Sequence, residues 1–202
     1  MLHRIVMITG LLLLAGAPAS AQTQLVMFDG ITLDQGEAAA LLVPAAFTDN
    51  DYTVLGRLEY GLHDRVGVFV QAGGVFNNGA TGFAGGGWMA TLYSESGSFP
   101  LNIGFYNSIV VPLESGGPDA LVTVAPVFSH SFEFGRRQQQ RITPYIGATA
   151  NLVVNSPAPG NRTDVNALFG LKVHSTAEQV DITLEGQLGD KSLFAFGFHY
   201  RF

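Results

Sequence analysis

One run of this 202-residue chain brings a nucleophile, a base and an acid type together: Phe128-Ser129-His130-Ser131-Phe132-Glu133. Serine catalysis needs a hydroxyl within hydrogen-bond reach of an imidazole that a third group orients. In an extended strand adjacent side chains point to opposite faces. His130 therefore faces away from Ser131, while Ser129, Ser131 and Glu133 share a face without histidine. Other catalytic patterns fail sooner. Gly85-Gly86-Gly87 lacks the Lys-Ser or Lys-Thr that completes a phosphate loop. The histidines show no H-E-x-x-H spacing, and the absence of cysteine removes thiolate chemistry, disulfides and Cys-ligated metal. The expectation is of no catalytic, cofactor-binding or metal site.

A second set of reactive side chains falls on polar strand faces: Arg57, Glu59, Glu133, Lys172, Asp181, Glu185, His199 and Arg201. Counting back from the turn at 189–191 puts Asp181 opposite His199, with Arg201 one diagonal step away. Counting from the preceding turn brings Lys172 near Asp181. Three positive and four negative groups nearly balance, which favours mutual pairing in a polar plug over an ion-selective ring of one sign. The competing reading is a gate or proton-linked site around Asp181 and His199.

These residues need strands to hold them. From residue 37 onward, extended runs of about ten residues alternate with turn signals. The expected strands are 37–47, 51–62, 65–76, 81–93, 99–113, 119–134, 141–154, 164–174, 179–188 and 192–202. The breaks carry Asn, Asp, Gly, Pro and Ser, the residues that tolerate or fix turn backbone. Alternation is cleanest late in the chain: Val180, Ile182, Leu184 and Leu188 oppose Asp181, Thr183, Glu185 and Gln187. Across the chain one face is aliphatic or aromatic. The other is small and polar with few charges, which suits a crowded barrel interior better than a water-facing surface. A soluble two-sheet sandwich is the alternative, and it requires the apolar faces to meet.

Met1 to Arg4 is a positive start, followed by an apolar run to about Ala17 and an Ala19-Ser20-Ala21 cleavage pattern. Residues 1–21 read as a signal peptide cleaved after Ala21; the run is short for an uncleaved anchor helix, which needs about 20 apolar residues. Removing Arg4 with the leader leaves nine basic and sixteen acidic residues, a formal charge of −7. No basic cluster points to nucleic acid. Residues 22–36 are ambiguous between a first strand, a periplasmic arm and a segment tucked into the barrel mouth, the arm being favoured.

The last strand reads S-L-F-A-F-G-F-H-Y-R-F, placing Phe194, Phe196, Phe198, Tyr200 and Phe202 on one side. Behind an export signal, this aromatic face resembles the closing strand of bacterial outer-membrane β-barrels. The resemblance implies an all-β, closed antiparallel transmembrane barrel over residues 37–202, of about ten strands, with eight or twelve open. It implies that the five aromatics act as the assembly signal. The partners it implies are outer-membrane lipid and, in transit, the barrel assembly machinery and periplasmic chaperones. With an even strand count both termini lie on the periplasmic side, leaving short external turns at 48–50, 77–80, 114–118, 156–161 and 189–191. The function implied is a non-enzymatic barrel in a Gram-negative envelope, structural or passively permeable to very small solutes. The lumen would be largely plugged by polar side chains. A lipid A deacylase-like enzyme and a surface adhesion barrel are the alternatives. Lipid A deacylases carry His and Ser two residues apart on one face; the adjacent His130 and Ser131 depart from that pattern.

Overall fold

A computed structural model describes residues 25–48, 50–77, 79–113, 120–134, 140–154, 162–175, 179–189 and 192–202. The expected leader and cleavage site, residues 22–24, and the turns expected at 114–118 and 156–161 lie outside the described residues. So do parts of the turns at 48–50, 77–80, 136–140, 175–177 and 189–191.

The strands are β1 (Ala38–Phe47), β2 (Tyr52–His63), β3 (Val66–Asn77), β4 (Gly79–Tyr93), β5 (Asn102–Pro112) and β6 (Ala120–Ser129). They continue with β7 (Phe132–Phe134), β8 (Gln140–Val154), β9 (Arg162–Ser175), β10 (Val180–Leu188) and β11 (Leu193–Arg201). Chain neighbours from β1 to β6 and from β7 to β11 pair antiparallel, β6 pairs with β8, and β1 pairs with β11 through Ala39↔Arg201 and Phe47↔Leu193. This closes the ring, as backbone in lipid requires, since each unpaired group there costs several kcal/mol.

β6 and β7 are two parts of one barrel strand. Both pair with β8 in a single register, Ser129↔Tyr145 and Phe132↔Ile142. The break falls at His130, which the register sets against Pro144. The His130 amide donates to the Pro144 carbonyl at 3.3 Å, but proline has no N–H to return. The barrel is therefore ten-stranded. Observed ends differ from the sequence reading by a few residues, most where hairpins zip further than turn residues suggest: β3 and β4 remain paired as far as Asn77↔Gly79. Register shifts at Gly61/His63 and Thr91/Tyr93 lie at one rim, where extra residues bend a strand without disturbing the middle of the ladder.

Each strand divides cleanly between two environments. Following the paired faces around the ring, no outer strand position carries Asp, Glu, Lys or Arg. Val70, Ile146 and Val165 are 62%, 64% and 66% exposed on that outer side. Phe194, Phe198, Tyr200 and Phe202 are likewise exposed, and Phe196 packs edge-on against Phe198 with ring centroids 4.6 Å apart. No second sheet covers these rings among the described residues, so the sandwich alternative does not hold.

The inner side is buried and mixed. Toward the end opposite the barrel's termini an apolar cluster of Val43, Phe47, Leu55, Phe83, Val110 and Leu193 lies beside buried Thr53, Thr81, Asn151 and Asn166. Apart from Asp51, the buried charged side chains lie in the middle and toward the terminal end, where β1 begins and β11 stops.

Candidate functional site: the occupied lumen

Residues 25–29 run inside the barrel without joining its sheet, and all five are buried. The favoured arm is thus corrected: the segment occupies the lumen, the third of the three placements open from the sequence. Its first four residues are apolar and the wall offers matching surface. Leu25 and Met27 pack into one cluster with Leu41, Val43, Leu55 and Leu193. Val26 and Phe28 pack into another with Phe69, Met89, Tyr106 and Tyr145. Alternate side chains thus reach different parts of the wall.

A backbone removed from water and excluded from the sheet must find partners elsewhere. Two wall side chains supply them. On β2, the Arg57 guanidinium donates to the Val26 carbonyl at 2.8 Å and the Leu25 carbonyl at 2.9 Å. On β10, the Glu185 carboxylate accepts from the Val26 amide at 3.0 Å and from the Met27 amide. One peptide stretch is held through its carbonyls by a cation and through its amides by an anion.

Both clasping groups are fixed in turn. Arg57 donates to Gln71 Oε1 at 3.0 Å and to the Tyr106 hydroxyl at 3.2 Å. It lies 4.6 Å from the Phe69 ring centre and 3.6 Å from the Glu59 carboxylate. Glu185 also accepts from Tyr145 at 3.1 Å and from Gln187 Nε2 at 2.9 Å. Charge-assisted bonds of this kind are the strong ones.

The wall also leaves room for the segment's backbone. On β5, a Cβ at Gly104 would strike the Gly30 Cα and the Phe28 ring. Gly30 itself has φ of +87°, a conformation that favours glycine. Met27 is the non-glycine residue of the segment in the left-handed region, at φ +48°, which costs a side-chain-bearing residue about 1–2 kcal/mol. The Glu185 bond to its amide holds it there.

Below the clasp, toward the terminal end, lies the cluster anticipated around Asp181. Asp181 stands opposite His199 in the β10–β11 register and opposite His174 in the β9–β10 register. Its carboxylate is 2.7 Å from His174 Nδ1, 3.6 Å from Arg201 and 3.8 Å from Lys172. Lys172 also reaches Asp29 of the inserted segment at 3.5 Å. Glu59 lies 4.0 Å from His199.

Glu133 is not part of this cluster. It shares the inward parity but stands exposed at the rim, across from Arg141, because β7 extends past the buried lumen. Asp29 takes its place in the charge balance. Four buried negative groups (Asp29, Glu59, Asp181, Glu185) stand among Arg57, Lys172 and Arg201, and Arg141, Asp34 and Glu37 line the mouth. A cavity of about 300 Å³ remains beside this cluster, bordered by Phe28, Ile31, Lys172, Asp181 and His199 among others.

The sequence reading missed Asp29, Gln71, Tyr106, Tyr145, Arg141 and the clasped dipeptide. The inward parity of both tyrosines and a mid-strand arginine without a cross-strand acid were the available signals. The serine cluster forms no catalytic array. His130 Nδ1 lies 3.0 Å from Glu95, but Ser131 Oγ bonds Thr143 Oγ1 at 3.2 Å and Ser129 Oγ is buried without a hydrogen-bond partner. No group of ligand-type residues suited to a metal ion occurs among the described residues.

The molecule is therefore, by fold, a closed ten-stranded antiparallel β-barrel with an occupied interior. No protein-family model and no curated protein matches the chain. Among solved structures it is similar to a de novo designed transmembrane β-barrel at 14% identity and TM-score 0.38, covering 85% of this chain and all of that one. It is similar to the N-terminal β-barrel domain of Pseudomonas aeruginosa OprF at 13% identity and TM-score 0.37, covering 84% and 100%. It is also similar to a bacterial polysaccharide outer membrane secretin at 12% identity and TM-score 0.44, covering 85% and 67%. At such identities and superpositions none of them lends this chain a function; the barrel rests on its own strand register.

Proposed function

We propose that the chain is a small bacterial outer-membrane β-barrel without enzymatic activity, closed to solutes while residues 25–29 are seated. The observation that carries this reading is the division of the wall: an outer side free of charge all round the ring, and an inner side filled by charged pairs and an inserted segment. An uncharged outer side belongs in hydrocarbon, where Arg or Lys at mid-depth costs about 2–4 kcal/mol. The nearly equal inward charges neutralise one another, so the lumen acts as a polar plug more readily than as an ion-selective passage. The aromatic row of β11 is the assembly signal, and the barrel's termini face the periplasm.

Two measurements test this. Detergent-extracted outer membranes are run on a gel with and without boiling; the expected result is a heat-dependent shift of a species retained in the outer-membrane fraction, and recovery as a soluble periplasmic protein would overturn the membrane assignment. Refolded protein is then recorded in planar bilayers, where quiet traces are expected. Steady ohmic steps from the intact chain would remove the plug from the reading.

A further inference from the structure

We propose that the lumen is a binding site for a short, mainly apolar peptide, with residues 25–29 as its resident occupant. This rests on the membrane-barrel reading above. The wall contacts the main chain of the segment through Arg57 on β2 and Glu185 on β10, strands separated by β1 and β11, which hold the Leu25 and Val26 carbonyls and the Val26 and Met27 amides. Main-chain atoms are common to every peptide, so this recognition does not depend on one sequence. Side-chain preference comes from the two apolar clusters that receive alternate residues.

Three observations distinguish a receptor from a core. A permanent filling is most stable when it is apolar, because burying an ion costs several kcal/mol even when it is paired; this wall instead spends two buried ions on the backbone of one short stretch. The segment makes no strand pairing with the barrel, so it can leave without breaking the ring. Met27 holds a left-handed backbone, the kind of local strain that collects at binding and switch sites. The cavity beside Phe28 and Ile31 supplies the space through which the segment moves toward the terminal end.

The test keeps the full chain through folding. A protease recognition sequence is inserted between Gln35 and Gly36, in the exposed turn, and the refolded barrel in vesicles is cut there. Labelled synthetic peptide of residues 25–34 is added in excess, alongside the same peptide N-methylated at Val26. Mass spectrometry follows the resident fragment. The expected result is one-for-one exchange in cut protein, none in uncut protein, and binding about 10- to 100-fold weaker for the methylated peptide, whose amide no longer reaches Glu185.

A resident fragment that never leaves under excess peptide would overturn the proposal, as would a vacated barrel that takes up no peptide. Equal binding of the methylated peptide would overturn the backbone contact. Collapse of the barrel on cutting would make the segment core instead of occupant. A heat-dependent gel shift of the uncut protein separates the two readings: its absence sinks the membrane barrel, whereas its presence without exchange sinks the peptide site alone.

Discussion

Glu185→Gln removes one charge and almost no volume, so its consequences fall on the hydrogen bonds that the carboxylate accepts. Four donors converge on it: the Val26 and Met27 amides, the Tyr145 hydroxyl and Gln187 Nε2. Glutamine offers one carbonyl oxygen there and turns an NH2 group toward the rest, so about two of the four bonds are lost. At about 1.5–3 kcal/mol for each bond to a charged acceptor, the seat of the segment weakens by about 3–6 kcal/mol. The barrel as a whole loses less, since relieving a buried anion of its desolvation offsets several kcal/mol. The two effects separate in amide hydrogen exchange, which reports local and global opening apart. Exchange at Val26 and Met27 should accelerate by at least about 100-fold, while mid-strand amides such as that of Leu184 stay within a few-fold of the parent. Unchanged protection at Val26 and Met27 would refute the clasp, and equal acceleration in every strand would show that the segment and the ring unfold as one unit.

Arg57→Met should loosen the same segment. Because Arg57 and Glu185 hold one dipeptide, the double variant should cost clearly less than the two singles together in urea titrations, and strict additivity would argue against a shared occupant. Gly104→Ala brings a methyl group onto Gly30 and Phe28; limited proteolysis should then cut within residues 25–34 while the gel mobility of the unboiled barrel is kept. Val70→Arg, on the outer side, should destabilise refolding in vesicles by about 2–4 kcal/mol if it sits near mid-membrane. Glu133→Gln at the rim should stay within about 0.5 kcal/mol in the same titration. Deleting Phe202 should reduce membrane-inserted protein in cells, read by fractionation, more than it alters refolding into detergent.

Strand positions and facing were legible because both follow from a period of two and from turn chemistry, which are local. The opposition of Asp181 and His199 needed only counting from a short turn, and the register sets them across from each other. Glu133 shows the limit of that logic: parity says which way a side chain points, not how far along the axis the lumen extends. The inserted segment was least legible. Nothing local separates Leu25 to Phe28 from an edge strand, since its placement depends on two side chains 31 and 159 positions away. The split between β6 and β7 was hidden for a similar reason, because its cause, Pro144, lies on the neighbouring strand.

The exposed turn at residues 34–36 links the occupant to β1 and thereby works as a leash. Residues 33–37, fully stretched, span about 16–18 Å, so a segment that slips out stays close to the mouth it left. A tether this short keeps the local concentration of the free end in the millimolar range. Return is then a matter of collision and not of search, and any opening of the intact barrel is a flicker. A lasting open state needs either a cut in the leash or a competitor already lodged between Arg57 and Glu185.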